Sequence, residues 1–231
     1  MKNKNILVVQ NLLQLLPLDS LRDPEIIVNL IRAFGIVQWG PDVFGKDEIW
    51  KNRSSDMAGI YQTPAQLAEA LVYLSDKKIE NFIEIGTFQG GNFLFMAEYL
   101  RRFNPDIQCF TIDPTGFLNP EVAAVIDAED WMKFIPCPSD DLSGKKFDLV
   151  FIDAGHTKAE IENDWQNLGR HAQICMVHDI QETTCPGVIE FWENLKKDNP
   201  KAFIVEFLDH DAPVPLQGIG IIINPEPKKG K

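Results

Sequence analysis

Four residues able to do acid–base or metal chemistry close two apolar runs in the second half of the chain. FDLVFIDAGH breaks from apolar residues into Asp153, with His156 three positions later, and QICMVHDI ends in His178 and Asp179. A carboxylate can hold a cation, and an imidazole that titrates near neutrality can take the proton of an alcohol. If the two runs are neighbouring parallel strands, their ends lie about 4.8 Å apart, and Asp153 and Asp179 reach one ion. Oxygen ligation of that kind suits Mg2+, which keeps waters for the oxygens of a substrate. The expected metal set is therefore Asp153, His178 and Asp179, with His156 as the general base. The plainer role for His156 is to cap the next helix or satisfy a buried carboxylate. Asp164, on that helix, reads as support for the pocket or, more simply, as a solvated position.

A second constellation precedes this one. EIGTFQGGN contains Glu84, Gly86, Thr87, Gly90 and Gly91 at the end of an apolar run and the start of a helical pattern. Glycines there let backbone approach a ligand, and the helix beyond offers free N–H groups. The spacing is GxxxGG rather than the GxGxxG that binds pyrophosphate. With an acid two residues ahead of Gly86, it better fits a ligand bearing a carboxylate and a cation. Asp113 closes the next run, FTID, 27 positions after Gly86 (113 − 86). An acid there can accept both hydroxyls of a ribose. Taken singly, Gly90 and Gly91 are also a tight turn and Asp113 a helix cap.

These residues need a sheet to position them. Runs without internal polar residues read as strands buried on both faces, and runs of that kind build parallel sheets. From Thr63-Pro64, which opens a helix to about Ser75 with Thr63 as N-cap, strands and helices alternate. NFIEIG, a helix Asn92–Phe103, QCFTID, a helix after Pro120, WMKFIPC, FDLVFID and a helix Lys158–Leu168 follow in turn. QICMVHDI, a helix Gly187–Lys197, AFIVEFL and GIGIIIN complete the series. Such alternation implies an α/β fold, a Rossmann-like seven-stranded sheet covered on both faces. No helix separates the last two strands, so six strands run parallel and the last runs antiparallel.

The remainder divides at about residue 60. Two helical patterns, near Ile6–Leu16 and Pro24–Phe34, precede a segment with Trp39, Phe44 and Trp50. Residues 1–60 read as a lid or dimer contact, residues 61–224 as the catalytic domain and residues 225–231 as a flexible tail. Lys plus Arg is 22 against 34 Asp plus Glu, a net charge of −12. That balance disfavours a nucleic-acid partner. No run approaches the ~18 apolar residues of a spanning helix, and the N-terminus lacks a signal-peptide pattern. The four cysteines lack CxxC spacing and read as reduced thiols of a cytoplasmic protein.

With these motifs in order, residues 59–224 resemble a class I S-adenosylmethionine-dependent methyltransferase. The resemblance implies that S-adenosyl-L-methionine is the cofactor and that Glu84 and the Gly86–Gly91 loop, Thr87 included, hold its methionine part. It further implies that Asp113 binds the ribose, that Ser139-Asp140 lies near the adenine and that Asp153 borders the cofactor. DxGH followed by HD is similar to small-molecule O-methyltransferases acting on macrolide sugars and to cephalosporin hydroxylase-like proteins. In relatives with metal sites, Asp153 and Asp179 match ligands and His156 a base, whereas His178 stands where they carry an acid. The implied activity is methyl transfer to a hydroxyl of a small organic acceptor, with Mg2+ assistance. Two alternatives stay open: a non-haem iron enzyme using His156, His178 and one aspartate, or a cofactor-binding module without catalysis.

Overall fold

A seven-stranded sheet in the order β3-β2-β1-β4-β5-β7-β6 organises the chain. The computed structural model describes residues 4–35, 59–116, 118–208 and 216–224. Trp39, Phe44, Trp50 and residues 225–231 lie outside that range. The strands are β1 (Asn81–Ile85), β2 (Gln108–Ile112), β3 (Met132–Ile135), β4 (Leu149–Ile152), β5 (Ile174–His178), β6 (Phe203–Phe207) and β7 (Ile219–Ile223). The helices are α1 (Lys4–Leu15), α2 (Pro24–Phe34), α3 (Pro64–Leu74), α4 (Gly91–Phe103), α5 (Pro120–Ala128), α6 (Lys158–Asn167) and α7 (Pro186–Asp198).

The central strands explain their own composition. β4 pairs in parallel with β1 on one side and β5 on the other, and all four of its residues are buried. A strand hydrogen-bonded on both edges and covered on both faces leaves no position for a polar side chain. Successive residues point to opposite faces, so Phe82 joins one apolar layer and Ile83 the other. The first layer contains residues of α1 to α4. The second packs Val150 and Val177 against Trp165 of α6 and Trp192 of α7. β7 lies between β5 and β6 and is antiparallel to both, as the missing helix requires.

The N-terminal helices are tied to this body. Asp23 caps α2 by accepting from Glu25 N–H at 2.9 Å, with Pro24 in the first turn. Gln10 of α1 donates to Glu98 of α4 at 2.5 Å, and Tyr99 donates its hydroxyl proton to the Leu21 carbonyl at 2.7 Å. Arg102 of α4 donates to the Leu13 and Leu16 carbonyls, satisfying the end of α1 that has no helical partners. Thr63 does precede α3, but its hydroxyl turns away from the helix and donates to Gln217 at 2.7 Å. Among the described residues, no helix is long and apolar enough to cross a membrane. All four cysteines are free.

Candidate active site

The carboxyl ends of β1, β2, β4 and β5 open into one cleft of about 880 Å³. This is where open α/β sheets bind ligands. Glu84, Asp113, Ser139, Asp153, His156 and Asp179, the charged and hydroxyl-bearing candidates apart from Thr87 and His178, all line it, and those two line it as well. No residue of α1 or α2 does.

On the β1 side the backbone is under unusual constraint. Gly86 has φ +95°, and a Cβ there would fall 2.0 Å from the carbonyl oxygen of Asp153. Only glycine lets the exits of β1 and β4 come this close. Gly90 is left-handed at φ +82° and precedes α4, with Leu118 and Val122 filling the space a side chain would need. Gly91 begins α4. The Thr87 hydroxyl lies 2.7 Å from that of Thr111. Glu84 is buried and accepts from Asn92 Nδ2 at 2.7 Å and from Thr111 at 2.9 Å. Burial pushes its pKa up to about 8, against the pull of those two donors. Asn92 Oδ1 is buried with no partner. Such an atom costs free energy unless a ligand completes it.

Asp113 accepts from Phe88 N–H at 3.2 Å and from Thr115 N–H at 2.8 Å. Ser139 sits in a short helical turn after β3, buried, and donates to Asp164 at 2.6 Å. Asp164 is thus no solvated position: it is buried on the inner side of α6, and burial raises its pKa.

The β4 and β5 exits bring two carboxylates and two imidazoles together. The β4–β5 ladder ends at Ile152 opposite Val177, so the next residue across from Asp153 is His178, not Asp179. His178 Nδ1 lies 2.8 Å from Asp153 Oδ1 and 3.3 Å from Asp179 Oδ1. Its ring is buried, and Nε2 has no partner. Burial alone would lower its pKa; Asp153 and Asp179 outweigh that and hold it at about 9. Asp179 leaves the strand at φ +62°, a left-handed turn that costs strain in a residue with a side chain. Its Oδ2 lies 3.1 Å from His156 Nε2 and accepts from the Cys185 thiol at 3.6 Å. Burial pushes Asp179 up, but the two histidines and the thiol bring it below the ordinary value. The hydrogen bond to Asp179 raises the pKa of His156, partial burial opposing it. His156 is the accessible member, its side chain 56% exposed.

The expected Mg2+ ligands are therefore adjacent but already engaged. Asp153 accepts at both oxygens, Oδ2 from Gln62 at 2.5 Å, and Asp179 accepts at Oδ2 from Cys185 while its Oδ1 faces His178 Nδ1 at 3.3 Å. A hard cation that prefers an oxygen octahedron does not suit a set whose third member is a ring nitrogen hydrogen-bonded to Asp153 and 3.3 Å from Asp179. The iron alternative fares no better. Among the described residues, the two candidate ligand groups are Asp153, His178, Asp179 and His156, Asp179, Cys185, so the histidines do not share one.

Several residues of the cleft carry no sequence signal of their own. Gln62, Cys185 and Gln217 are single polar residues in loops, outside any motif, and Asn92 closes the glycine motif without having drawn a role. Gln62 is 1% exposed, and it reaches Asp153 across 91 positions of sequence.

A methyltransferase domain model matches residues 83–180, from β1 to just past Asp179. No curated protein matches the chain. Among solved structures, the O-methyltransferase NovP superposes with a TM-score of 0.57 at 12% identity, covering 87% of this chain and 99% of that one. The O-methyltransferase TomG of Streptomyces achromogenes, involved in tomaymycin synthesis and solved with SAM, gives 0.53 at 15% identity, covering 74% and 84%. An O-methyltransferase from Bacillus cereus, solved with SAH, gives 0.51 at 15%, covering 94% and 97%. The chain has the Rossmann-like methyltransferase fold, and its resemblance to the class I enzymes holds.

Proposed function

We propose that this chain is an S-adenosylmethionine-dependent methyltransferase acting on a hydroxyl of a small organic acceptor, of sugar or natural-product type. The observation that carries the reading is the pairing of His156 with Asp179 at 3.1 Å in the cleft that also holds Glu84, Asn92 and Asp113. S-adenosylmethionine suits the β1–β2 half. Its ammonium offers a donor to the unpaired Asn92 Oδ1 and a cation beside which buried Glu84 can ionise, and Asp113 offers a carboxylate to the ribose. When bound, the cofactor supplies a methyl group made electrophilic by its sulfonium.

The chain's own part is positioning and proton transfer. Nε2–H of His156 donates to Asp179 Oδ2, which leaves Nδ1 as the basic atom. As an acceptor oxygen takes up the methyl group, its hydroxyl proton would pass to Nδ1. Asp179 fixes the ring and stabilises the imidazolium that results.

Calorimetry with the cofactor and with NAD tests the reading. Wild type should bind S-adenosylmethionine, and Asp113→Ala should weaken binding by about 10- to 100-fold, because the ribose hydroxyls lose a charged acceptor. Tighter binding of NAD than of S-adenosylmethionine would overturn it. Methyl transfer to a panel of sugar and phenolic hydroxyls then identifies the acceptor.

A further inference from the structure

Two carboxylates at neighbouring strand exits repel each other unless a cation or a shared donor stands between them. Here that place is filled by a side chain. The register sets His178 across from Asp153, and one ring nitrogen lies within 2.8 Å of Asp153 Oδ1 and 3.3 Å of Asp179 Oδ1. The imidazole is buried and meets Phe151 at 6.3 Å between ring centroids. Gln62 closes the far oxygen of Asp153; His156 and Cys185 close that of Asp179.

We propose that the His178 imidazole replaces a divalent ion in this chain, its Nδ1–H bonded to Asp153 and lying 3.3 Å from Asp179, so that methyl transfer proceeds without bound metal. The inference rests on the methyltransferase reading of the cleft and adds to it a positioning residue. Its physical basis is occupancy. A nitrogen that donates a proton has no lone pair for an ion. An ion entering between the carboxylates must first break the His178–Asp153 bond and remove that proton. His178 also fixes Asp179, which in turn holds His156, so the base is set without a coordinated acceptor.

Removing the imidazole should reopen the ion's place. Mn2+ titration followed by electron paramagnetic resonance reads this directly, with S-adenosylmethionine binding measured by calorimetry on the same samples. Wild type should take up no Mn2+ at millimolar concentration, and EDTA should leave its turnover unchanged. His178→Asp should gain a Mn2+ site competed by Mg2+, at least about tenfold tighter than wild type, the smaller end of what a partner residue changes in metal affinity. Where the acid variant does not fold, His178→Asn, which supplies a neutral oxygen, is titrated in its place. Wild-type Mn2+ or Zn2+ binding that Asp153→Asn abolishes overturns the inference, as does failure of the folded His178 variant to gain a site. Failure of wild type to bind S-adenosylmethionine would instead overturn the methyltransferase reading.

Discussion

Replacing His156 by alanine is the perturbation that separates catalysis from folding most cleanly. The ring is more than half exposed and carries no part of the core, so its loss should leave stability almost untouched. A general base contributes about 10²- to 10⁴-fold, which at 1.36 kcal/mol per tenfold is roughly 2.7–5.4 kcal/mol of barrier. Turnover should fall by that factor while cofactor affinity stays at the wild-type value, because His156 belongs to the β4 exit and not to the β1 loop. The pH dependence adds a signature. Asp179 raises the pKa of His156 above the ordinary 6.5. Only the neutral ring can take a proton, so turnover falls on acidification through a pKa above 6.5, and His156→Ala should lack that limb. Asp179→Asn should move the limb down. The carboxylate's hydrogen bond is the chief cause of the rise, and the amide of asparagine carries no charge to replace it. The assay is chromatographic detection of S-adenosylhomocysteine at saturating cofactor across pH 5.5 to 9. A His156→Ala enzyme with wild-type turnover and an unchanged acid limb would refute the assignment.

Two further outcomes follow from the β1 side of the cleft. Glu84 has a folded pKa of about 8 against an ordinary 4.5, so its contribution to stability is complete below about 4.5 and lost as pH rises through about 8. Thermal melting of the ligand-free protein should therefore drop between pH 5 and 8, and Glu84→Gln should flatten the slope; parallel slopes would contradict the argument. Gly86→Ala combines a left-handed φ with a Cβ 2.0 Å from a backbone oxygen, so urea denaturation should show a loss above about 3 kcal/mol. An unchanged midpoint would mean the exits of β1 and β4 are less closely joined than described.

Much of the fold was legible because burial writes itself into local pattern. The apolar run Leu149–Ile152 needs neighbours on both edges, and the absence of a helix before β7 forces its reversal. The strand-exit acids and Gly86 were legible for the same reason, since they interrupt a pattern. What local pattern cannot carry is pairing at long range. The Gln62–Asp153 contact and the Thr63–Gln217 contact join loops far apart in sequence, with no periodicity to mark them. The offset that sets His178 rather than Asp179 opposite Asp153 is a matter of register, which a single strand's sequence does not fix. Asp164 is different: it lies three residues after Ile161 and one before Trp165, on the buried side of α6, so helical spacing did mark it.

The close approach at Gly86 has a mechanical consequence. Its N–H donates to the Ile112 carbonyl at 2.9 Å, and Asp153 N–H donates to the Ile85 carbonyl at 2.9 Å. The ends of β2, β1 and β4 are thereby riveted into one stiff ledge, with the proposed donor site on one side and the acceptor site on the other. The gap a methyl group must cross is then a property of the ledge, little altered by thermal motion of the loops above it. Changes of acceptor in laboratory evolution should accordingly accumulate in the rim, at residues such as Tyr61 and Glu182. The ledge itself would pass from variant to variant unaltered, because any side chain added at its joint pushes two strands apart.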